Sequence, residues 1–199
     1  RAYLRLLRRA SADHVPGSGP RMIRRHVAQM TFLLPDSLHA TIVPDADAFQ
    51  KGKGTLADGA GPALVRWWNR NDPKPATSVN ERVVEHLQRV AEAEQRFTAD
   101  NLRSFDDRGE IYVRLGAPDV RRELTSTSLA RSVSNRSAFT PQNEYWRYQG
   151  FGRHSHYLFV KRGGRYQISG VPDLLPSGLR HNLSGSGALA ALALYDYYN

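Results

Sequence analysis

SVNERVVEHLQRVAEAEQRF, residues 78–97, carries the clearest secondary-structure signal in the chain. Ser78 followed by Glu81 fits a capping box, in which the Ser hydroxyl and the Glu carboxylate each satisfy a free backbone N–H at the start of a helix. Apolar residues then recur every three or four positions, as on the buried face of an amphipathic helix, with one break at Glu94. We therefore predict a helix from about Val79 to Thr98. Its apolar positions are Val83, Val84, Leu87, Val90, Ala91 and Phe97.

A second helix is predicted directly upstream, in GPALVRWWNRN, residues 61–71. Pro62 suits the first helical turn, because an N–H at that position would have no partner within the helix. The proline-rich NDPKPATS then ends the helix in a turn. The apolar residues of this helix are Leu64, Val65, Trp67 and Trp68.

Downstream, the apolar pattern changes from a helical period to alternation. GEIYVRLG, residues 109–116, places Ile111, Val113 and Leu115 on one side, which predicts a half-buried strand closed by a turn at residues 116–119. EYWRYQG and HYLFVKR are typical of two further strands. HYLFVKRGGRYQIS, residues 156–169, predicts a hairpin folded at its two glycines. The expected fold is α+β, with the helix pair packed on a small antiparallel sheet.

The two flanks are predicted to lie outside this domain, which we place at residues 61–170. Residues 1–60 are expected to form an extended basic N-terminal arm and linker, opening with a short amphipathic helix in RAYLRLLRRA. Residues 171–199 are expected to form a C-terminal tail ending in a short apolar helix. Helices this short need a surface to dock on, so we interpret the arm as partner-binding. The residues proposed for this contact are Arg1, Leu4, Arg5, Leu7, Arg8 and Arg9.

Composition narrows the classes of partner. The 199 residues carry a formal net charge of +9, which favours an acidic protein face, an anionic lipid surface or nucleic acid. No apolar run approaches the roughly 20 residues that span a bilayer. The chain has no cysteine, which removes thiol nucleophiles, disulfides and Cys-ligated zinc.

Several motifs in the middle of the chain resemble those of the GWxTD-domain family of bacterial proteins. They occur in the family's order and cover about Leu64 to Ser169. They read WWNRNDPKPATSVNE, EHLQRVAEAEQRF, DDRGEIYVRLGAPD, NEYWRY and YLFVKRGGRYQIS. The matching motif positions are Trp67, Asp72, Pro73, Asn80, Glu81, Asp107, Arg108, Gly109, Gly116, Pro118, Asp119 and Trp146.

The resemblance departs from the family at the motif that gives it its name. Alignment on Asp107 places Arg103 at the family's Gly, Ser104 at its Trp and Asp106 at its Thr. The resemblance implies a fold and an extracytoplasmic or periplasmic setting. It implies no catalytic chemistry.

Two groups of residues could carry chemistry. The carboxylates of Asp106 and Asp107 could bind a cation or act in acid–base work, but the interpretation we favour is a turn in which Asp107 and Arg108 form a local ion pair that leads into a strand. His154 and His156 would share one side of a strand and supply half of a zinc site, but no third ligand follows at a recognisable spacing. We therefore predict no catalytic residue, no metal site and no cofactor.

The predicted function is that of a non-catalytic accessory subunit, peripheral to a membrane complex, that binds and stabilises other protein subunits at acidic or membrane-adjacent faces. One specific version is a subunit of a bacterial photosynthetic reaction-centre and antenna complex. A nucleic-acid-binding protein, using the same charge and the aromatic residues around Trp146, is the first alternative. A hydrolase with a pocket around Asp106 and His154 or His156 is the second.

Overall fold

A computed structural model describes residues 1–8, 19–123, 142–149 and 156–174. The chain forms two compact units, Arg1–Gly116 and Ala117–Asn199. Helices make up the described part of the first unit, and a four-stranded antiparallel sheet lies in the second. The predicted α+β class is confirmed. Among the described residues, no helix is long and apolar enough to cross a membrane.

The first unit contains seven α-helices within its described residues. They are α1 (Ala2–Arg8), α2 (Gly19–Ala28), α3 (Asp36–Ile42), α4 (Ala46–Gln50), α5 (Ala60–Arg70), α6 (Glu81–Arg96) and α7 (Asp107–Leu115).

Helix α6 is the helix predicted between residues 79 and 98, but its cap differs from the prediction. Asn80, not Ser78, is the N-cap, and its side-chain oxygen accepts a hydrogen bond from the backbone N–H of Val83. Glu94, the break in the apolar pattern, has a structural role: its carboxylate accepts hydrogen bonds from Arg25 Nη2 at 2.5 Å and Gln29 Nε2 at 2.6 Å. The polar position therefore joins α6 to α2.

The strand predicted over residues 109–116 is wrong, because this segment is helix α7. Asp106 caps its start by accepting from the backbone N–H of Arg108, and Gly116 ends it with a φ of 85°. Ile111, Tyr112 and Val113 are all buried. Over so few residues, apolar side chains fit both the helical and the alternating period, and the two caps favour the helix.

Residues 19–60 contribute to the helical core, where the sequence suggested an arm and linker. Pro35 and Pro44 introduce short helices here instead of interrupting structure: Pro35 is the N-cap of α3, and Pro44 precedes Asp45, the N-cap of α4. The core cluster contains Tyr3, Leu7, Ile23, Val27, Met30, Ile42, Phe49, Leu64, Trp68 and Val83 among its buried residues.

The sheet of the second unit contains β1 (Val120–Arg122), β2 (Asn143–Arg147), β3 (His156–Arg162) and β4 (Arg165–Ser169), in that spatial order. The predicted hairpin is confirmed: β3 pairs antiparallel with β4, and Gly163 and Gly164 have φ values of 56° and 83°. Two consecutive residues at positive φ are what a tight hairpin turn requires. The predicted C-terminal helix lies outside the described residues.

Candidate functional site

Helix α1 is built into the core of the first unit. Leu7 is fully buried and Tyr3 nearly so. The helix lies so close to α5 that a Cβ atom on Gly61 would stand 2.4 Å from the carbonyl oxygen of Leu7. A glycine at position 61 is therefore required for this approach. Of the residues proposed for partner contact, Leu7 faces the protein's own interior, and Arg9 lies outside the described residues.

The outer side of α1 carries an arginine face, which consists of Arg1, Arg5 and Arg8. The three residues are exposed and recur at helical spacing, so they form one row along the helix. Arg1 Nε donates a hydrogen bond to the carbonyl oxygen of Ser78 at 3.2 Å. Arg5 and Arg8 form no ion pair with any described residue.

A groove of about 530 Å³ opens beside Arg1, between the first turn of α1 and the first two turns of α6. The loop that joins α5 to α6 forms its end. We call it the α1–α6 groove. It is lined by Arg1, Ala2, Tyr3, Leu4, Asn69, Asp72, Pro75, Thr77, Ser78, Val79, Asn80, Val83, Val84 and Leu87.

The groove presents apolar surface to solvent. Val79 is 47% exposed and Val84 is 40% exposed, and both are among the few large apolar side chains left open in the described chain. Tyr3 and Val83, which are buried, line the groove more deeply. The α1–α6 groove therefore combines exposed apolar side chains with the charged side chain of Arg1 at its rim.

The loop of the groove is fixed by residues of the motif WWNRNDPKPATSVNE. Asn80 Oδ1 accepts from Val83 N at 3.0 Å, while Asn80 Nδ2 donates to the carbonyl oxygen of Trp68 at 2.9 Å. Asp72 Oδ1 accepts from the backbone N–H of Lys74 at 2.9 Å, just before the Pro75 turn. The motif therefore joins the end of α5 to the start of α6.

Two further motif positions have neighbouring roles. Thr77 Oγ1 donates a hydrogen bond to Glu81 Oε1 at 3.0 Å, a contact between side chains that differs from the capping box predicted for Ser78 and Glu81. Trp67 is half-buried and packs edge-on against Trp68, with ring centroids 4.7 Å apart. Trp68, which is 1% exposed, is the tryptophan of the core.

Behind the groove, Tyr3 contacts an aromatic cluster that includes two histidines. The ring centroids of Tyr3 and His26 are 5.4 Å apart, and those of Trp68 and His86 are 5.1 Å apart. The Tyr3 hydroxyl donates a hydrogen bond to Met30 Sδ at 3.8 Å. The ring centroids of Tyr3 and His86 are 6.3 Å apart. Residues from α1, α2, α5 and α6 meet at this point.

Burial dominates the electrostatics of this cluster. Burial, with a smaller contribution from the nearby His26 and Arg89, lowers the pKa of His86 to about 3. Burial also lowers the pKa of His26 and raises that of the Tyr3 hydroxyl. His86 Nδ1 is buried without a hydrogen-bond partner. His86 was not predicted as a site residue, although its spacing from Val83 and Val90 places it on the apolar face of α6.

The predicted carboxylate site is a helix cap. Asp106 is 2% exposed, and Arg108 Nη2 donates to its Oδ2 at 2.8 Å. Asp107 pairs with Arg103 at 3.4 Å. The prediction named Asp107 as the partner of Arg108, whereas the carboxylate seen to pair with Arg108 is that of Asp106, and the segment leads into α7 where a strand was predicted. Gly109 is required in this packing, because a Cβ atom there would lie 2.6 Å from the Phe105 ring.

The remaining motif residues organise the start of the second unit. Asp119, which directly follows Pro118, accepts at Oδ2 from the backbone N–H of Gln149 at 2.6 Å, and this hydrogen bond links the residue before β1 to the segment that follows β2. Trp146 is fully buried and donates from Nε1 to Glu144 Oε1 at 2.5 Å. Tyr145 and Tyr148 are buried as well. These aromatic residues are packed, so they do not form an open stacking surface.

The predicted histidine pair cannot be assembled from the described residues. His156 is exposed on β3, 6.2 Å from the Tyr145 ring, whereas His154 lies outside the described part of the chain. Within the described residues, no group of three or more His, Asp or Glu side chains could hold a metal ion.

Comparisons with protein-family models, with curated proteins and with solved structures found no match to this chain. The resemblance to GWxTD-domain proteins rests on the motifs quoted above and stays a prediction. The α1–α6 groove and the arginine face are therefore interpreted from their geometry and charge.

Proposed function

We propose that this protein is a non-catalytic accessory subunit that binds and stabilises a larger protein assembly, on the extracytoplasmic side and peripheral to a membrane complex. The arginine face carries this proposal. Arg5 and Arg8 stand exposed, without ion pairs to described residues, on a helix that is held in place by its buried Tyr3 and Leu7. The extracytoplasmic setting is supported by the family resemblance.

An arginine row on a docked helix suits an acidic protein partner. Exposed ion pairs contribute only about 0–1 kcal/mol each in isolation, but several that form together on a fixed surface give both attraction and orientation. The helix is already ordered, so binding does not have to order it again. Nucleic-acid binding is less well supported, because Tyr145, Trp146 and Tyr148, on which bases were expected to stack, are buried.

Charge reversal on the full chain tests the proposal. We expect Arg5→Glu with Arg8→Glu to abolish co-purification of the partner subunits from solubilised native membranes, since both side chains are exposed and their replacement leaves the core intact. Deleting the helix would be a poorer test, because it would also remove Tyr3 and Leu7 from the core.

The matched control is Lys51→Glu with Lys53→Glu, which changes the net charge equally at two exposed lysines beyond α4. Partner recovery that falls for the arginine pair and persists for the lysine pair supports the proposal. If both double variants recover the partners as well as wild type does, a role for α1 is refuted. If both lose the partners equally, the interaction depends on net charge and not on α1.

A further inference from the structure

The α1–α6 groove and the arginine face are adjacent and continuous, and together they define one binding track. Arg1 lines the groove, and Arg5 and Arg8 follow it one and two turns further along α1. A chain seated in the groove and continuing along α1 would pass from the exposed valines to the exposed side chains of Arg5 and Arg8. This order of surfaces specifies the order of chemistry in the occupant.

The groove end of the track selects apolar side chains. Val79 and Val84 are the exposed large apolar side chains of the described groove lining, and Leu4 and Leu87 line the same space while half-buried. Its volume of about 530 Å³ lies within the usual range for pockets that bind small molecules. It therefore suits a few apolar side chains of a larger chain and not a whole folded surface.

The arginine end selects carboxylates. Asp72 is the acidic residue among the described groove lining, and its Oδ1 is already engaged by the backbone N–H of Lys74. Near the same end of α6, Glu81 contacts Thr77 and Glu85 pairs with Arg89. These carboxylates are held by their own neighbours, whereas Arg5 and Arg8 have no described counter-charge.

We propose that this track binds a partner segment in which apolar side chains are followed by a run of acidic residues. The inference rests on the proposed function and names the chemistry of the partner at that site. The apolar side chains occupy the α1–α6 groove, and the carboxylates pair with Arg5 and Arg8. An amphipathic segment in a preformed groove is a common mode of protein recognition.

The test uses two labelled peptides with the full chain: one has leucines followed by glutamates, and the other has the same leucines followed by lysines. Fluorescence anisotropy should show the acidic peptide binding at least about tenfold more tightly at low salt. Val79→Ser with Val84→Ser should weaken that binding about tenfold, since two anchoring side chains are removed. Met22→Ser, at a comparably exposed apolar residue on α2, should leave it unchanged.

Equal affinity for the two peptides, or unchanged acidic-peptide binding by the valine double variant, would overturn the inference. So would phosphatidylglycerol vesicles binding through these valines when the acidic peptide does not, because the occupant would then be a lipid surface.

The valine double variant also separates this inference from the proposed function. If it keeps its partners in the co-purification experiment while the Arg5 and Arg8 double variant loses them, the proposed function stands and the groove inference fails. If neither variant loses partners but the peptides behave as expected, the groove inference stands and the proposed role of α1 in assembly fails.

Discussion

At the scale of single residues, the chain places its polar exceptions where they join elements. Glu94 interrupts an apolar face and binds Arg25 of α2 and Gln29, the residue after that helix. Asp106 is buried and caps α7. His86 is buried among aromatic rings with one ring nitrogen unpaired. Two of these residues, His86 and Asp106, lead to predictions about stability.

The buried histidine predicts acid sensitivity. Its pKa is about 3 in the folded chain, against the ordinary histidine value of 6.5. Between these values the unfolded chain binds a proton that the folded chain does not, so stability is undiminished above pH 6.5 and falls as the pH is lowered. The loss from His86 should reach about 2–3 kcal/mol at pH 4.5.

Denaturant unfolding at pH 7 and pH 4.5 measures this contribution. His86→Leu should reduce the difference in the free energy of unfolding between pH 7 and pH 4.5 by about 2–3 kcal/mol. His39→Gln, a half-buried histidine of α3 outside the cluster, is the control and should leave the difference unchanged. A pH difference that is the same in wild type and His86→Leu would show that His86 takes up its proton in the folded state.

The two adjacent carboxylates should differ in their effect on stability. Asp106→Ala removes a helix cap and leaves Arg108 without its buried counter-charge, so the free energy of unfolding should fall by about 1–3 kcal/mol. Asp107 is more exposed, and Asp107→Ala should cost less than about 1 kcal/mol. Thermal unfolding of the two variants compares them directly; a larger loss for Asp107→Ala would contradict the assignment of the cap.

At the scale of elements, long and regular segments were predictable from the sequence and short ones were not. Helix α6 follows from a long apolar period that is broken only at Glu94, and the β3–β4 hairpin follows from a Gly-Gly turn. Helix α7 was mistaken for a strand because its nine residues fit both periods. The helices between residues 19 and 60 were missed because prolines that start helices resemble prolines that interrupt them.

The docking of α1 depends on close approach at a single glycine. Gly61→Ala would place a methyl group against the backbone carbonyl of Leu7, so α1 should be displaced, at a cost of about 1–3 kcal/mol in stability. Trypsin should then cut faster at Arg5 and Arg8. Arg66→Ala, at an exposed position of α5, the helix that contains Gly61, is the control. If cleavage of Gly61→Ala is as slow as in wild type, α1 is not held by this contact.

At the scale of the whole molecule, the candidate site combines parts that the sequence suggested separately. Arg1 and Leu4 were proposed as partner-binding residues, and Asp72 and Asn80 were proposed as motif positions; all four line one groove. Their proximity could not be predicted, because more than 60 residues separate α1 from the loop before α6 and only tertiary packing joins them. Val79 and Val84 were expected in a helix but not as exposed side chains.

The outer face of α1 is proposed to contact an acidic partner subunit. Photo-crosslinking in native membranes tests this claim. A photoreactive amino acid placed at Arg5 samples the arginine face, and the same amino acid at Lys51 samples an exposed position beyond α4. We predict a crosslink from position 5 to a protein whose crosslinked segment is rich in Asp and Glu, and none to that protein from position 51. Equal crosslinking from both positions, or crosslinking from position 51 alone, would contradict the claim.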